Sequence, residues 1–451
     1  MQSKMNCLIE VVSDHKKQST ATVRRRTFRF MICCLCGAAA SCAAGDSPYQ
    51  FKADANIKET YDSNVYLQDT DPGVAGAMPA EKGSWITTFT PRVAFDYTPC
   101  DLLHTTVSYA PDFVVFHNAH SEDYFAHRGG VTLGGKAEDI VWEQVNTIVF
   151  TDGNHLGPLF AKPQDVPAVG GIPLRERRDA LLYRGSFKLT WSVGNFFLRP
   201  VGSAYIHDFR TTQKLRAEVP DPFIYVNFND RQDVNGGLDL GYKIAEKTHI
   251  VAGYRYGRQD QYRGPSVFDA TKFADSPFDS EYHRALAGIE GTPFPWLKLS
   301  VLGGPDIRTW SDRAHQVPHF HPAELLYWID ASVAILPTKT DTITLFNRRY
   351  EQPAFTSQSV YEDITYGLTW RHKFDQHWAA TAGFQAYLGD WQAPVNREDW
   401  IYTPSASLSY TWQKLTAELA WSYDWVESLV PNTKGREFTR HLATLGIKYS
   451  F

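Results

Sequence analysis

Beyond its first 45 residues, the 451-residue chain lacks any apolar run of about 18 residues, the length that a membrane-spanning helix requires. A helical membrane protein is therefore excluded for this part of the chain. The charge is nearly balanced, with 45 Lys and Arg against 50 Asp and Glu. We expect neither a broad basic surface for nucleic acid nor an acidic disordered tail.

Common catalytic motifs are also absent. The sequence has no G-x-S-x-G, P-loop, G-x-G-x-x-G or H-E-x-x-H pattern, which are frequent signals of hydrolases, nucleotide-binding proteins and zinc proteases. Three histidines, His315, His319 and His321, lie close together, but Pro318 and Pro322 prevent a helix that would align them as metal ligands. We therefore expect no enzymatic activity, no cofactor and no metal site.

The first 44 residues have the layout of a secretory signal peptide. Basic residues between Lys16 and Arg29 precede the apolar and small stretch FMICCLCGAAASCAAG, which ends at Gly45. We predict that residues 1–44 are a signal peptide and that residues 45–451 form the mature chain. The segment from Ala39 to Cys42 offers an alternative, a lipoprotein cleavage box with acylation at Cys42.

The leader also accounts for most of the cysteines. Five of the six, all except Cys100, lie within the first 44 residues. After removal of the leader, Cys100 would be the only cysteine, so no internal disulfide is expected in the mature chain.

What the chain does have is alternation between apolar and polar residues. It is clearest in the last segment, where every second residue is apolar: Ala443, Leu445, Ile447, Tyr449 and Phe451. Successive side chains of a β-strand point to opposite faces, so such a strand is apolar on one side and polar on the other. The same pattern occupies 400–412 and 415–425, and only Gln413 and Lys414 separate these two segments, as in a tight hairpin.

Counting such segments from 50–58 to 439–451 predicts about eighteen strands. Short turns alternate with longer connections rich in charge, Pro and Gly, of which the longest runs from about Thr151 to Ala180. Short turns on one side and long loops on the other are typical of a membrane β-barrel. We predict an all-β fold, a single transmembrane antiparallel up-and-down β-barrel of about eighteen strands.

Aromatic residues favour the barrel over a soluble sheet. Tryptophans recur near strand ends, at Trp142, Trp191, Trp296, Trp370, Trp378, Trp400, Trp412 and Trp425. Amphipathic rings at these positions suit the two membrane interfaces. The alternative is that they pack in the core of a large soluble β protein or a propeller, but no repeat of blade length is present.

The end of the chain resembles the carboxy-terminal signature of bacterial outer-membrane β-barrel proteins, with Phe451 last and Tyr449 two residues before it. This resemblance implies recognition by the barrel-assembly machinery, with Tyr449 and Phe451 as the assembly signal. It also implies insertion into an outer membrane, in contact with its lipid and lipopolysaccharide.

A second resemblance concerns the start of the mature chain. Tyr61, Asp62, Asn64 and Val65 are similar to the Tyr-Asp-x-Asn-hydrophobic opening of the β-barrel porin-2 group. That group implies a large barrel, in some members linked to exopolysaccharide export.

Charged residues at predicted inward positions are the candidate pore-lining groups. The basic candidates are Arg92, Arg184, Lys188, Arg255, Arg284, Arg348 and Arg371, and the acidic candidates are Asp96, Asp239, Asp363, Glu418 and Asp424. In one interpretation they create a transverse field that filters solutes by charge. In the other they pair with one another and only keep the interior hydrated.

A barrel of about eighteen strands is wide enough for an aqueous channel. The expected function is a porin-like channel for passive or weakly selective diffusion of small hydrophilic solutes. The alternative is an outer-membrane component of exopolysaccharide secretion or envelope assembly. A homotrimer is suggested only by analogy with many general porins.

Overall fold

The computed structural model describes residues 48–67, 82–154, 159–160, 167–168, 178–210, 229–262, 276–320, 325–354, 359–393, 396–430, 433–434 and 437–451. The predicted signal peptide, the cleavage-box alternative at Cys42 and most of the longest predicted loop lie outside these ranges. Within them, no helix is long and apolar enough to cross a membrane.

Nearly all of the described chain is β-strand. The strands are β1 Tyr49–Asp62, β2 Ser84–Cys100, β3 Leu103–Tyr109, β4 Asp112–Phe116, β5 Tyr124–Ala137, β6 Ile140–Asn154, β7 Leu159–Phe160, β8 Pro167–Ala168, β9 Arg178–Val193, β10 Phe196–Phe209, β11 Asp230–Ala245, β12 Thr248–Tyr262, β13 Ser280–Phe294, β14 Leu297–Trp310, β15 Leu325–Ile335, β16 Asp341–Pro353, β17 Val360–Lys373, β18 Trp378–Trp391, β19 Arg397–Trp412, β20 Leu415–Val430, β21 Thr433–Lys434 and β22 Phe438–Ser450.

Eighteen of these strands, counting β3 and β4 as one, form a closed antiparallel barrel. Each pairs with its sequence neighbours, and β1 closes the wall by pairing with β22 from Asp54↔Ser450 to Asp62↔Leu442. β3 and β4 form one wall strand, interrupted at Ala110 and Pro111, because both pair with β2 and β5. Among the described strands β7 pairs only with β8, and β21 pairs with the end of β20. The predicted fold class is confirmed.

The outer face of the wall is apolar. On β2, Trp85, Phe89 and Phe95 point to the same side and are 48%, 41% and 43% exposed. Trp85 and Phe95 are ten positions apart, which corresponds to a height of roughly 25 Å for a strand tilted by about 40°. In a closed barrel every backbone group of the wall can pair within the wall, so such a surface can face hydrocarbon. The chain is an outer-membrane, multi-pass β-barrel.

Most of the predicted girdle tryptophans lie on this exposed face. Those exposed by more than two fifths are Trp191, Trp296, Trp370, Trp378, Trp412 and Trp425. Trp142 and Trp400 are half-buried, and the Trp400 ring stacks on that of Tyr402 at 5.8 Å. The soluble-core alternative is wrong for these residues, because no second layer covers them within the described structure.

The short turns follow the sequence closely. Gln413 and Lys414 alone connect β19 to β20, and Gln413 has a φ of 51°. Gly194, with a φ of 61°, lies in the turn between β9 and β10, where the absence of a side chain permits the left-handed conformation.

Cys100 ends β2 and is disulfide-bonded. The other five cysteines lie outside the described residues. The expectation of no internal disulfide concerned the chain after loss of its leader, so it stays a prediction.

Buried apolar residues collect at the end of the barrel that carries the long connections, which we call the mouth. One cluster contains Val65, Tyr66, Ile86, Val114 and Ala119. The other contains Phe278, Trp310, Ala314, Phe320 and Val360. The barrel therefore has its apolar packing at the mouth, whereas its middle is lined by polar groups.

Candidate functional site: the inner wall

Strand alternation directs the polar residues to the inside of the barrel. Arg92 is paired in register with Asp54 on β1, and its Nη1 lies 3.3 Å from the Asp54 carboxylate. Their neighbours Phe89 and Phe95 are on the opposite, exposed face, because they are an odd number of residues away. The same parity applied along the cross-strand registers places all twelve charged candidates on the inner face.

The short-turn half of the wall near the closure carries two neighbouring ion-pair groups. Lys52 Nζ lies 2.6 Å from Asp96, and Lys448 Nζ lies 3.5 Å from Asp54, which also accepts from Arg92. These groups come from β1, β2 and β22, so they form a belt across the line where the first and last strands meet.

A second network is centred on Asp239 of β11, which is 1% exposed. Its carboxylate accepts from Arg199 Nε at 3.0 Å and from Arg255 Nη1 at 2.6 Å. Arg199 also makes two bonds of 2.9 Å to the carboxylate of Glu290. Two arginines and two carboxylates thus balance one another, and their fork geometry fixes the side chains against the wall.

A third network lies closer to the mouth. Arg284 Nε donates to Asp306 at 2.9 Å, and its guanidinium lies 3.9 Å from the ring centroid of Tyr282. Arg308, which is 1% exposed, donates to the same carboxylate oxygen at 3.3 Å. This part of the wall is less accessible to water than the short-turn half, because Arg284, Asp306 and Arg308 are almost fully buried.

Between the second and third networks the lumen contains a cavity of about 430 Å³. Lys188, Arg255 and Arg284 lie on its lining, together with the aromatic rings of Trp328 and Tyr350. Lys188 lies 2.7 Å from Glu143, and both side chains are well exposed. A second cavity, of about 550 Å³, is lined in part by Arg184 and His207.

The other candidates are spread around the wall. Arg348 lies 3.8 Å from Asp330, with both side chains more than half exposed. Asp424 accepts from Thr403 at 2.8 Å, and Asp363 accepts from Gln352 at 2.9 Å.

Two candidate arginines have no acidic partner among the described residues. They are Arg184, whose guanidinium lies 5.3 Å from the Tyr205 ring centroid, and Arg371, whose register partners are Thr342 and Thr381. Glu418 likewise lies opposite Ser409 and Gly446. The candidates therefore do not form one focused site: most are paired, and the unpaired ones carry both signs.

The three histidines of the sequence cluster, His315, His319 and His321, lie in the connection that follows β14. His315 lies in a short 3₁₀ turn, Ala314–Gln316, and His319 has a φ of 64°. His321 lies outside the described residues, and the part of the chain that is described has no group of three or more His, Cys, Asp or Glu side chains arranged to hold a metal ion.

Sequence reasoning missed the buried polar groups at the mouth. Arg231, Arg308 and Glu351 are 7%, 1% and 2% exposed. Arg231 and Arg308 donate to backbone carbonyls of β16, the strand that contains Glu351, and alternation alone gives no signal for such contacts.

No family model matches the chain, and no curated protein matches it. The resemblance to the β-barrel porin-2 group therefore stays an expectation. Among solved structures, the outer membrane protein opdK from Pseudomonas aeruginosa has 10% identity and a TM-score of 0.44, covering 89% of this chain and 99% of that one. OccK2 (OpdF) of Pseudomonas aeruginosa has 8% identity and a TM-score of 0.44, covering 89% and 98%. The copper transporter OprC has 10% identity and a TM-score of 0.45, covering 91% and 81%. At these identities and scores the likeness carries no argument about function, and the fold assignment rests on the strand pairing and closure described above.

Proposed function

We propose that the protein is an outer-membrane channel for passive, weakly selective diffusion of small hydrophilic solutes. The observation that supports this function best is the charge-balanced inner wall, in which five of the seven basic candidates contact a carboxylate within 4 Å. Arg255, for example, contacts Asp239 at 2.6 Å. Paired charges keep the interior hydrated but produce little net field across it. A channel with such a wall admits hydrophilic solutes of either sign.

The decisive measurement is conductance of the purified, refolded barrel in planar lipid bilayers. We expect discrete channel openings, with neither potassium nor chloride favoured by more than about tenfold, which corresponds to about 1.4 kcal/mol. Liposomes that contain the barrel should also swell in small neutral sugars. Absence of both conductance and sugar uptake from correctly folded protein would refute the proposal.

A matched pair of variants tests whether the inner wall lines the conducting path. Arg184→Glu reverses an inward charge that has no acidic partner in the described structure, whereas Arg258→Glu reverses a charge on the outer face, 59% exposed. We expect the first to shift the reversal potential towards cation preference and the second to leave it unchanged. Equal shifts would indicate a surface effect instead of a lumen effect.

The alternative, glycan secretion or envelope assembly, makes a different prediction in the same experiments. It requires periplasmic partners, so the isolated barrel would conduct poorly, and loss of the protein would deplete surface polysaccharide. Trp328 and Tyr350 in the cavity lining are the aromatic groups on which a sugar could stack. However, Arg284 lies 5.6 Å from the Trp328 ring and Tyr350 donates to Asp363, which favours the diffusion channel.

We also propose that Tyr449 and Phe451 are recognised by the barrel-assembly machinery and that the outer face contacts membrane lipid and lipopolysaccharide. Tyr449 and Phe451 are 43% and 70% exposed at the short-turn end. A homotrimer is the assembly to test first, by mass measurement of the detergent-solubilised protein.

A further inference from the structure

At the mouth, β15 and β16 stop pairing although both strands continue. Their ladder ends at Ile329↔Arg349. β15 continues to Leu325 by pairing with β14, and β16 continues to Pro353 by pairing with β17. Within the described chain, therefore, no backbone pairing joins residues 325–328 to residues 350–353. The wall has a gap between β15 and β16 at this level.

The free edge of β16 is held instead by side chains from distant strands. Arg308 Nη2 donates to the carbonyl of Glu351 at 2.8 Å, and Arg231 Nη1 donates to the carbonyl of Pro353 at 3.2 Å. Gln259 Nε2 also donates to the Glu351 carbonyl, at 3.4 Å. These three donors come from β14, β11 and β12, and we call them the clasp.

The clasp requires the hairpin to bend into the lumen. β11 lies five strands from β16, which is roughly 24 Å along the wall at about 4.8 Å for each strand. An arginine side chain spans only about 7 Å, so Arg231 can reach Pro353 only if the ends of β16 and β17 lean across the opening. Alternate residues of an edge strand direct their carbonyls to the same side, which explains why the clasp takes the carbonyls of residues 351 and 353.

An apolar contact supports the bent position. Val360, the first residue of β17, is fully buried and packs in the cluster with Phe278, Trp310 and Phe320. Those three residues belong to the connections around β13 and β14 and to the end of β14. The hairpin is thus attached to the part of the wall from β11 to β14 by both polar and apolar contacts.

The bent position also leaves polar groups unsatisfied. Glu351 Oε1, Arg308 Nε and Asp306 Oδ1 are buried and have no hydrogen-bond partner among the described residues. Arg308 Nε and Glu351 Oε1 are 3.7 Å apart, too far for a hydrogen bond. Buried groups of this kind oppose the conformation that buries them, so a second conformation that exposes Glu351 to water gains stability.

We propose that the mouth-side ends of β16, residues 350–353, and of β17, at Val360, are a gate over the mouth, held in its bent position by the clasp of Arg231, Gln259 and Arg308. In the raised position β16 rejoins β15 by continuing their register, so that Tyr327 pairs with Glu351. Tyr327 is on the outer face and 58% exposed, so the Glu351 side chain would then leave the interior. The role of the gate in limiting solute size rests on the proposed channel function.

A cysteine pair tests the raised position without any measurement of transport. In a Cys100→Ser background, Tyr327→Cys and Glu351→Cys would stand directly opposite each other on adjacent strands, with Cβ atoms about 5 Å apart. We expect mild oxidation of the folded barrel to form this disulfide, which peptide mass spectrometry detects. Leu325→Cys with Glu351→Cys is the out-of-register control. If the first pair forms no more disulfide than the control, the raised position is refuted.

Conductance tests the clasp. Arg308→Gln and Arg231→Gln each remove a charged donor to the hairpin, so the ratio of wide to narrow openings should rise about tenfold. Arg348→Gln is the control, because it removes an inward arginine of β16 that is exposed and does not contact the clasp. Should either variant fail to fold, Gln259→Ala weakens the same clasp by removing a neutral donor.

The outcomes separate the two proposals. If the cysteines at positions 327 and 351 form a disulfide but the barrel never conducts, the proposed gate movement is supported and the channel function is refuted. Conduction with an unchanged ratio of wide to narrow openings in the folded clasp variants, and no disulfide, would support the channel and refute the gate.

Discussion

Neutralising Asp239 tests the view that paired charges make the channel weakly selective. Asp239→Asn keeps the shape of the side chain but removes the negative charge that Arg199 and Arg255 share. Arg199 keeps Glu290, whereas Arg255 loses its carboxylate. The wall gains one net positive charge, so anions should be favoured over cations.

The size of the shift follows from Coulomb's law. A unit charge about 8 Å from a solute ion in water changes its energy by about 0.5 kcal/mol. Salt at about 0.1 M, with a Debye length near 10 Å, reduces this by about half. Because cations and anions shift in opposite directions, the permeability ratio should change by roughly two- to fivefold. Loss of the buried bond to Arg255 should also lower the free energy of unfolding by about 1–3 kcal/mol.

The assay is the reversal potential across a planar bilayer under a salt gradient, with unfolding followed by heat-dependent gel migration. Asp260→Asn is the matched control, because Asp260 pairs with Arg258 on the outer face of the same strand as Arg255. An equal shift from both variants, or a shift towards cations from Asp239→Asn, would contradict the assignment of Asp239 to the conducting wall.

Three further predictions concern the fold. Leu419→Arg, at a lipid-facing position that is 59% exposed, should destabilise the barrel in vesicles by about 2–4 kcal/mol in urea titrations, whereas Glu418→Arg on the inner face should be tolerated; equal effects would contradict the strand's orientation. Phe451→Ala should reduce the heat-modifiable folded band in outer membranes but leave refolding in detergent unchanged, and normal membrane levels would exclude Phe451 from the assembly signal. Backbone N–H bonds from Trp378 and the residue before it lower the pKa of Asp375 below its ordinary value of 3.8. The turn's stabilisation is therefore present above that value and lost as the pH falls through the folded pKa, so acid unfolding of Asp375→Ala should depend less on pH than that of the native chain.

Much of the barrel could be predicted from alternation because a strand has only two faces. Once Leu445 and Ile447 are assigned to lipid, Lys448 must point inward, and the closure with Asp54 follows from the first and last strands. The turn at Gln413 and Lys414 has only two residues, so β19 and β20 must pair as an antiparallel hairpin. The same arithmetic places the charged candidates on the inner face, although their part in conduction stays a prediction.

The partners of each charged side chain could not be predicted from the sequence, because they depend on the register between neighbouring strands. Asp239 bonds to Arg199 and Arg255 across two different neighbours, and Glu290 completes the group from a strand two places away from β11. A shift of two residues in any one ladder would keep every side chain on its face but change these partners.

The bend of the β16–β17 hairpin lies beyond any local pattern. Residues 341–353 and 360–373 alternate and pair with each other like other strands, and apart from Pro353 nothing in their composition distinguishes the end of β16 that separates from β15. Pro353 is the one local indication, because a proline has no N–H for a neighbouring strand and is suited to an edge. What fixes the bend is the coincidence of an open edge with arginines on β11 and β14 that can reach it. A wall built by local alternation can therefore contain a movable part whose position is decided by side chains from wall strands that are not its direct neighbours.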